Sequence, residues 1–263
     1  MENIGVTQVF SAYAAYYDLL YSEKPYDEET AYIERMILKY RQDATTILEL
    51  GSGTGRHAAS FAASGFHTHG VERSHEMLHQ AERRRRGLPE EVSAKMKFQQ
   101  GDIRTFRSEA SGEYDVVLSL FHVFSYLLTN EDIESAFLTA HAHLKTGGLL
   151  VFDYWYGPAV LSQRPSVRIK RMENDELSFV RIAEPTIFFD ENRVQVDYTI
   201  YARQKRTGAQ EEIQETHNMR YLFLPEVALL ARGKFKILSN LAWMKQSDAS
   251  PDDWAAVCVL EKV

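Results

Sequence analysis

The stretch LELGSGTGRH, Leu48 to His57, sets the tightest limit on what this chain can fold into. The run TTILEL reads as a fully buried strand, and it ends at glycines 51, 53 and 55, a turn with almost no side chains. Behind it the pattern alternates. RHAASFAASG is a helix stopped by Gly65, FHTHGVE a strand, and SHEMLHQAERRRR a helix capped by Ser74. MKFQQGD and YDVVLSL are strands, NEDIESAFLTAHAHLKTGG is a helix with Asn130 as cap, and LLVFDYW is a fifth strand. Strands that alternate with helices require right-handed crossovers and a mostly parallel sheet covered on both faces. The expected fold class is therefore α/β and doubly wound.

The flanks have another texture. Asp27 to Tyr40 carries apolar residues at helical spacing, after an aromatic-rich segment, FSAYAAYYDLLYSEKPYDEE. After Gly157-Pro158 the segments VRIKRM, LSFVRIAE, TIFFD, RVQVDYTIYAR and EEIQETHNMRYLF alternate apolar and polar residues between turn formers. They predict an inserted antiparallel meander. PEVALLARGK is then a helix, and FKILSNLAW and WAAVCVLEKV are closing strands. The expected organisation is an N-terminal helical lid over 1–42, a core over 43–156, the insertion over 157–223, and closing elements over 224–263.

Charge and composition remove several function classes. A net charge of −7 argues against a general binder of nucleic acid or of membrane surfaces. No signal-peptide pattern opens the chain and no apolar span reaches 18 residues, so a soluble, cytoplasmic protein is expected. The single Cys258 excludes a disulfide framework. Arg83 to Arg86 read as a solvated helix end. His67 and His69 share a strand face without a third ligand, so no metal is expected.

In an open parallel sheet, ligands bind beyond the carboxyl ends of the strands. Glu49, the glycine loop, Glu72 and the pair Asp102-Ile103 all fall there. A dinucleotide fingerprint would need glycine at position 56, where this chain has Arg56. Glu72 is placed to accept hydrogen bonds from ribose hydroxyls, and Asp102 with Ile103 to meet an adenine. This set of residues describes a pocket for a nucleoside with a short charged tail.

The motifs LELGSGTGRH, GVERSHEML, QGDIRTF and YDVVLSLFHVFSYL resemble those of class I S-adenosylmethionine-dependent methyltransferases, in the order and spacing of that Rossmann-like fold. The resemblance implies S-adenosylmethionine as cofactor. Its methionine end would lie over Gly51, Gly53 and Gly55, with Arg56 near its carboxylate or facing solvent. Glu72 and its neighbour Arg73 would lie at the ribose, Asp102 and Ile103 around the adenine, and Leu120 with Phe121 along the sulfonium channel. YYDLLY resembles the lid of small-molecule methyltransferases, which gives Tyr17 a cofactor contact and makes Tyr13 a candidate on the acceptor side.

On that side His122 and Tyr126 are four apart, a spacing that shares one face of a helical turn, and either is a candidate proton acceptor. A backbone hydrogen bond is the other reading of His122. Tyr154 and Trp155 are candidates for the acceptor wall, or for burial under the meander.

A weaker resemblance, carried by FDYWYGPAV, ETHNMRYLF and PEVALL, is to enzymes that methylate the amino group of nucleotide-linked amino sugars, of the desosamine and mycaminose type. Those enzymes carry a histidine where this chain has Tyr126. Arg168, Arg171, Arg181 or Arg220 would then meet a pyrophosphate, or face solvent. Another small amine or hydroxyl acceptor, an NAD-dependent oxidoreductase and a non-catalytic S-adenosylmethionine-binding protein are the rival readings. The expected partner is a small-molecule acceptor, with no nucleic acid and no membrane. The oligomeric state stays open, a homodimer included.

Overall fold

A computed structural model of the chain describes residues 14–108 and 113–263, with side chains from residue 17 onward. The chain begins with α1 (Ala14–Leu20) and α2 (Tyr26–Tyr40), then β1 (Thr46–Leu50), α3 (Arg56–Ala63), β2 (His67–Glu72) and α4 (His75–Arg86). A short α5 (Glu90–Ser93) leads to β3 (Met96–Gln100), β4 (Tyr114–Ser119), a 3-10 turn at Val123–Tyr126, α6 (Asn130–His143) and β5 (Leu144–Tyr156). Next come α7 (Gly157–Gln163), β6 (Arg168–Glu173), β7 (Leu177–Phe188), β8 (Arg193–Gln204) and β9 (Gln210–Leu222). The chain closes with α8 (Leu224–Leu230), β10 (Phe235–Ala242) and β11 (Ala255–Lys262).

Strands β3-β2-β1-β4-β5 pair in parallel, and β11 and then β10 extend the sheet antiparallel from β5. The length of β5 decides where the meander goes. β4 pairs with it only as far as Phe152, and beyond that Trp155 and Tyr156 pair with Tyr221 and Leu222 of β9. Because β11 still holds the opposite edge at Trp155, β9 enters on the edge that β4 leaves. Antiparallel pairing then runs through β9-β8-β7-β6. The meander is thus hydrogen-bonded to the core at the carboxyl end of β5.

Alternation along the strands divides the core between two faces. Leu48, Leu50, Val117 and Phe152 pack with Ile133 and Phe137 of α6 on one face. Ile47, Val116, Leu118 and Val151 pack with Ile33 and Ile37 of α2 and Phe61 of α3 on the other. Glu49 shares the parity of Ile47, which aims its carboxylate toward α2 and α3. Helix α1 docks on the meander, where Leu20 is buried against Phe179, Ile200 and Ile213. None of the described helices is long and apolar enough to cross a membrane.

Three local expectations are corrected. LSFVRIAE and TIFFD form one strand, β7, which continues through Pro185. A helix not anticipated in the sequence, α7, starts at Gly157-Pro158, since proline suits the first turn of a helix. The cap of α6 is Thr129, whose hydroxyl accepts the Asp132 N–H at 3.1 Å, and Asn130 instead receives Arg220.

Candidate active site

A cavity of about 640 Å³ opens at the carboxyl ends of β1 to β5, roofed by α1 and the meander. Its floor is the glycine loop. Gly51 and Gly53 have φ of +79° and +54°, a region that side chains make costly. At Gly51 a Cβ would sit 2.7 Å from the methyls of Val123, so that glycine admits the turn after β4. At Gly53 a Cβ would meet nothing within 4 Å, so that glycine keeps its backbone bare to the cavity.

Two acids set the electrostatics. Glu72 accepts the N–H of Gly53 on Oε2 and of Ser74 on Oε1, both at 2.8 Å, which locks loop to strand end and leaves each oxygen a further lone pair. Burial raises its pKa. Glu49 is buried, and burial followed by the nearby Glu72 pushes its carboxyl up to about 8. Its Oε2 has no hydrogen-bond partner among the described residues.

Behind Glu49, His57 bonds Glu29 through Nε2 at 2.8 Å, and Glu29 also contacts Lys24. Burial brings His57 down to about 3 and the Lys24 ammonium down to about 8. A neutral imidazole that donates to Glu29 from Nε2 turns its Nδ1 lone pair toward Glu49 Oε1, 3.9 Å away. That side of Glu49 therefore tolerates a protonated carboxyl.

Helix α1 is tied to the loop by one residue. Asp18 of α1 takes the Thr54 hydroxyl at 2.8 Å and Arg56 Nε at 3.1 Å, and it also pairs with Arg84. Arg56 lines the cavity but is neutralised by Asp18 and stacked over Tyr26, with 5.1 Å to the ring centre. Arg84 is likewise turned inward, so the tetra-arginine run is only in part a solvated helix end. This link carries Tyr17 to the cavity wall.

Over the other half of the cavity the walls are aromatic: Phe121, Tyr126, Trp155, Tyr198 and Trp254, with His122 and His217 among them. Phe121 and His122 both adopt left-handed φ, 67° and 64°, at a cost of order 1–3 kcal/mol each. Asp153 holds this bend. Its Oδ1 accepts the His122 N–H at 3.0 Å, and its Oδ2 lies 2.6 Å from His122 Nδ1, out of line for a hydrogen bond. The bend breaks the helical turn expected here, so His122 and Tyr126 do not share a helix face. Tyr126 instead meets His217 at 2.7 Å.

Most expected site residues come together. Tyr17, Glu49, Gly51, Gly53, Arg56, Glu72, Arg73, Asp102, Ile103 and Leu120 line one cavity with His122, Tyr126 and Trp155. Asp102 arrives engaged, since Arg104 bonds both its oxygens at 2.9 and 2.6 Å. Tyr154 is a correction: it is fully buried on the opposite strand face, with its hydroxyl donating to Asn240 at 2.8 Å. Gly55 is another, because a Cβ there would strike Phe98 at 2.7 Å; it serves packing beneath the loop, away from the cavity.

Arg220 is buried on Glu226 and Asn130, and Arg181 donates to the Tyr21 hydroxyl at 3.2 Å. Tyr13 lies outside the described residues. Among the described residues no three His, Cys, Asp or Glu side chains gather to hold a metal.

Tyr198, His217, Met219 and Trp254 are cavity residues that the sequence reading missed. One signal was present. In EEIQETHNMRYLF the inward parity runs Ile213, Glu215, His217, Met219, Tyr221, so an acid and a histidine interrupt a buried face.

Acids and a bare glycine turn at the strand ends of a 3-2-1-4-5 parallel sheet define a Rossmann-like enzyme that binds a nucleoside. Residues 47–148 match the methyltransferase domain family. The dTDP-3-amino-3,4,6-trideoxy-alpha-D-glucopyranose N,N-dimethyltransferase of Streptomyces venezuelae is 28% identical over 190 residues, 72% of this chain and 76% of that protein. The putative methyltransferase YqeM of Bacillus subtilis is 31% identical over 145 residues, 55% of each chain.

The fold is that of S. venezuelae DesVI, with a TM-score of 0.76 at 22% identity over 95% of this chain and 98% of that one. It is also that of the sugar N-methyltransferase KedS8 from Streptoalloteichus, with a TM-score of 0.77 at 20% identity over 98% and 95%. The chain thus carries a methyltransferase domain, and its sequence and fold are similar to those of S-adenosylmethionine-dependent methyltransferases.

Proposed function

We propose that the chain methylates the amino group of a small amino sugar carried on a nucleotide. The observation that carries this reading is the cavity's division: an acid-lined nucleoside half opens directly into an aromatic half walled by the meander. Three relatives named as N,N-dimethyltransferases of dTDP-linked amino sugars support the substrate class.

The residues present fit the cofactor. The bare face of Gly53 and the unpartnered Oε2 of Glu49 await a ligand beside the loop. Glu72 would hold the ribose with Arg73 at its side, Ile103 would pack on the adenine, and Asp102 would reach it on sharing Arg104. Gly51 and Gly53 would carry the methionine end, and Tyr17 and Leu120 would flank the sulfur. When bound, S-adenosylmethionine supplies a methyl group on a sulfonium that departs as a neutral thioether.

The chain's own task is to align and dry the reactants, and proximity of this kind is worth about 7–11 kcal/mol. Trp155 and Phe121 exclude water from the acceptor, and the electron-rich faces of the aromatic walls favour a cationic reaction centre. On the acceptor side His122, whose backbone N–H Asp153 holds, and Tyr126 would be the candidates to take a proton. Residues 1–42 would act as lid, 43–156 as cofactor core, 157–223 as acceptor wall and 224–263 as closing elements, in a cytoplasmic small-molecule enzyme.

The test is calorimetry with S-adenosylmethionine, followed by mass spectrometry of dTDP-amino sugars and simple amines for a gain of one or two methyl masses. Glu72→Ala should weaken cofactor binding by about 1–3 kcal/mol, since it removes hydrogen bonds to a buried group. An unchanged dissociation constant would reject Glu72 as the ribose ligand. Methylation of hydroxyl acceptors alone would reject the amine.

A further inference from the structure

Three side chains in the acceptor half form a line with a defined direction. Tyr126 Oη lies 2.7 Å from His217 Nδ1, and His217 Nε2 lies 3.2 Å from Glu215 Oε2. Glu215 and His217 are two apart on β9 and so share a face of the strand. His217 is almost wholly buried, and the edge of Tyr198 packs on its ring at 4.8 Å.

The carboxylate fixes the imidazole tautomer. With the proton on Nε2, His217 donates to Glu215 and accepts the Tyr126 hydroxyl on Nδ1, which satisfies both contacts. The other tautomer would set a lone pair against the carboxylate.

Tyr126 does not serve alone. Its burial, together with the Tyr198 and Tyr21 phenols and the Glu215 carboxylate, pushes its phenol well above the usual range. A tyrosinate is therefore not the resting base. The hydroxyl can accept a proton only by giving up its own at the same time, and His217 Nδ1 lies where that proton goes.

We infer that Tyr126, His217 and Glu215 form a relay that removes the proton released by the acceptor nitrogen. The inference rests on the amine reading above. The nitrogen lone pair forms the N–CH3 bond while the S–CH3 pair stays on sulfur. The resulting ammonium gives its proton to Tyr126 Oη, whose own proton passes to His217 Nδ1. The imidazolium is then stabilised by Glu215 until the product leaves. Tyr126 is the group that touches substrate, and His217 and Glu215 act through it.

Titratable and charged groups reach this line from several elements. Around the imidazole stand Tyr126 from the 3-10 turn, Tyr198 from β8 and Glu215 from β9, and Tyr21, just after α1, faces Tyr126 and Tyr198. Arg181 of β7 covers Tyr198 at 5.1 Å. The relay runs only while His217 Nδ1 is free to take the proton from Tyr126.

The test compares wild type, His217→Gln, Glu215→Gln and Tyr126→Phe in the full chain, on an amino-sugar acceptor and a second amine of different basicity. Glutamine keeps an acceptor for the tyrosine hydroxyl but cannot take a proton. His217→Gln should lower kcat about 10²-fold, the scale of lost general-base catalysis, with KM and cofactor affinity within about twofold. The acid limb of kcat that stays put when the amine is changed should vanish with it. Glu215→Gln should lower kcat by about tenfold and Tyr126→Phe by as much as His217→Gln.

A His217→Gln enzyme with wild-type kcat and an unchanged pH profile overturns the relay. If that variant fails to bind cofactor, Tyr126→Phe decides, and wild-type turnover in it overturns the relay equally. A wild type that binds S-adenosylmethionine yet methylates no amine sinks the amine reading and the relay with it. A relay that fails alone leaves a wild type that methylates and variants that match it.

Discussion

Glu49 is a carboxyl held against its preference. Its folded pKa is about 8 because burial and Glu72 oppose ionisation, whereas the unfolded group titrates near 4.5. Between those values the native state binds more protons than the unfolded state, so the Glu49 contribution falls as pH rises through that window. Each pH unit across the window is worth about 1.4 kcal/mol, so the loss is a few kcal/mol at most. Glu49→Gln should therefore flatten the decline in urea stability between pH 5 and pH 8. A cation beside the carboxylate favours its charged form, so binding the cofactor sulfonium at pH 7 should release about one proton. Calorimetry in buffers of different ionisation heat should find that proton in wild type and not in Glu49→Gln, and equal release in both would exclude Glu49. The positions of Glu49, Glu72 and Asp102 were legible in the sequence because the end of a parallel strand fixes where its last acid stands. Side-chain direction there was not: Tyr154 and Trp155 are neighbours on one strand, and one is buried while the other lines the cavity. For His217 the interrupted parity of β9 was a signal, but its partner was not legible, since Tyr126 is 91 residues away in the chain.

At the level of elements, the glycine loop separates two demands that the sequence presents as one motif. Gly51→Ala must displace Val123 as well as bear a left-handed φ, so it should cost stability and cofactor affinity together. Gly53→Ala carries only the backbone penalty, about 1–2 kcal/mol, and its methyl enters the cavity. It should melt close to wild type yet bind S-adenosylmethionine at least tenfold more weakly, about 1.4 kcal/mol. Thermal melts and calorimetry on the pair check this, and equal melting losses would mean that both glycines are structural. Strand and helix periods revealed most elements here because both faces of the sheet are covered. The exceptions each involve proline. The helix begun at Pro158 was not anticipated, although an N-terminal proline costs a helix no hydrogen bond. Pro185 reads as a strand end, but β6 pairs β7 only as far as Ala183, so no neighbour on that edge needs the missing N–H.

On the scale of the whole molecule, the cavity exists because three features meet at one sheet end. The core supplies acids and loop, the meander supplies the aromatic wall, and α1 bridges them. The bridge is asymmetric. Toward the core it is polar, through Asp18 on Thr54, Arg56 and Arg84, whereas toward the meander it is mainly apolar, through Leu20 among Phe179, Ile200 and Ile213, with Lys170 donating to the Leu20 carbonyl. Leu20→Ala therefore attacks only the apolar side. A buried leucine cut to alanine costs about 2–5 kcal/mol, but a short helix can detach before the sheet unfolds, which caps what the global melt loses. Hydrogen exchange should show α1 amides losing protection while β4 and β5 keep theirs. Cofactor affinity should fall as well, because Tyr17 leaves the wall and Arg56 loses its anchored partner. Uniform loss of protection across β1 to β5 would instead mean that lid and core open as a single cooperative unit, with α1 a part of the core's stability and not a cover over its ligand.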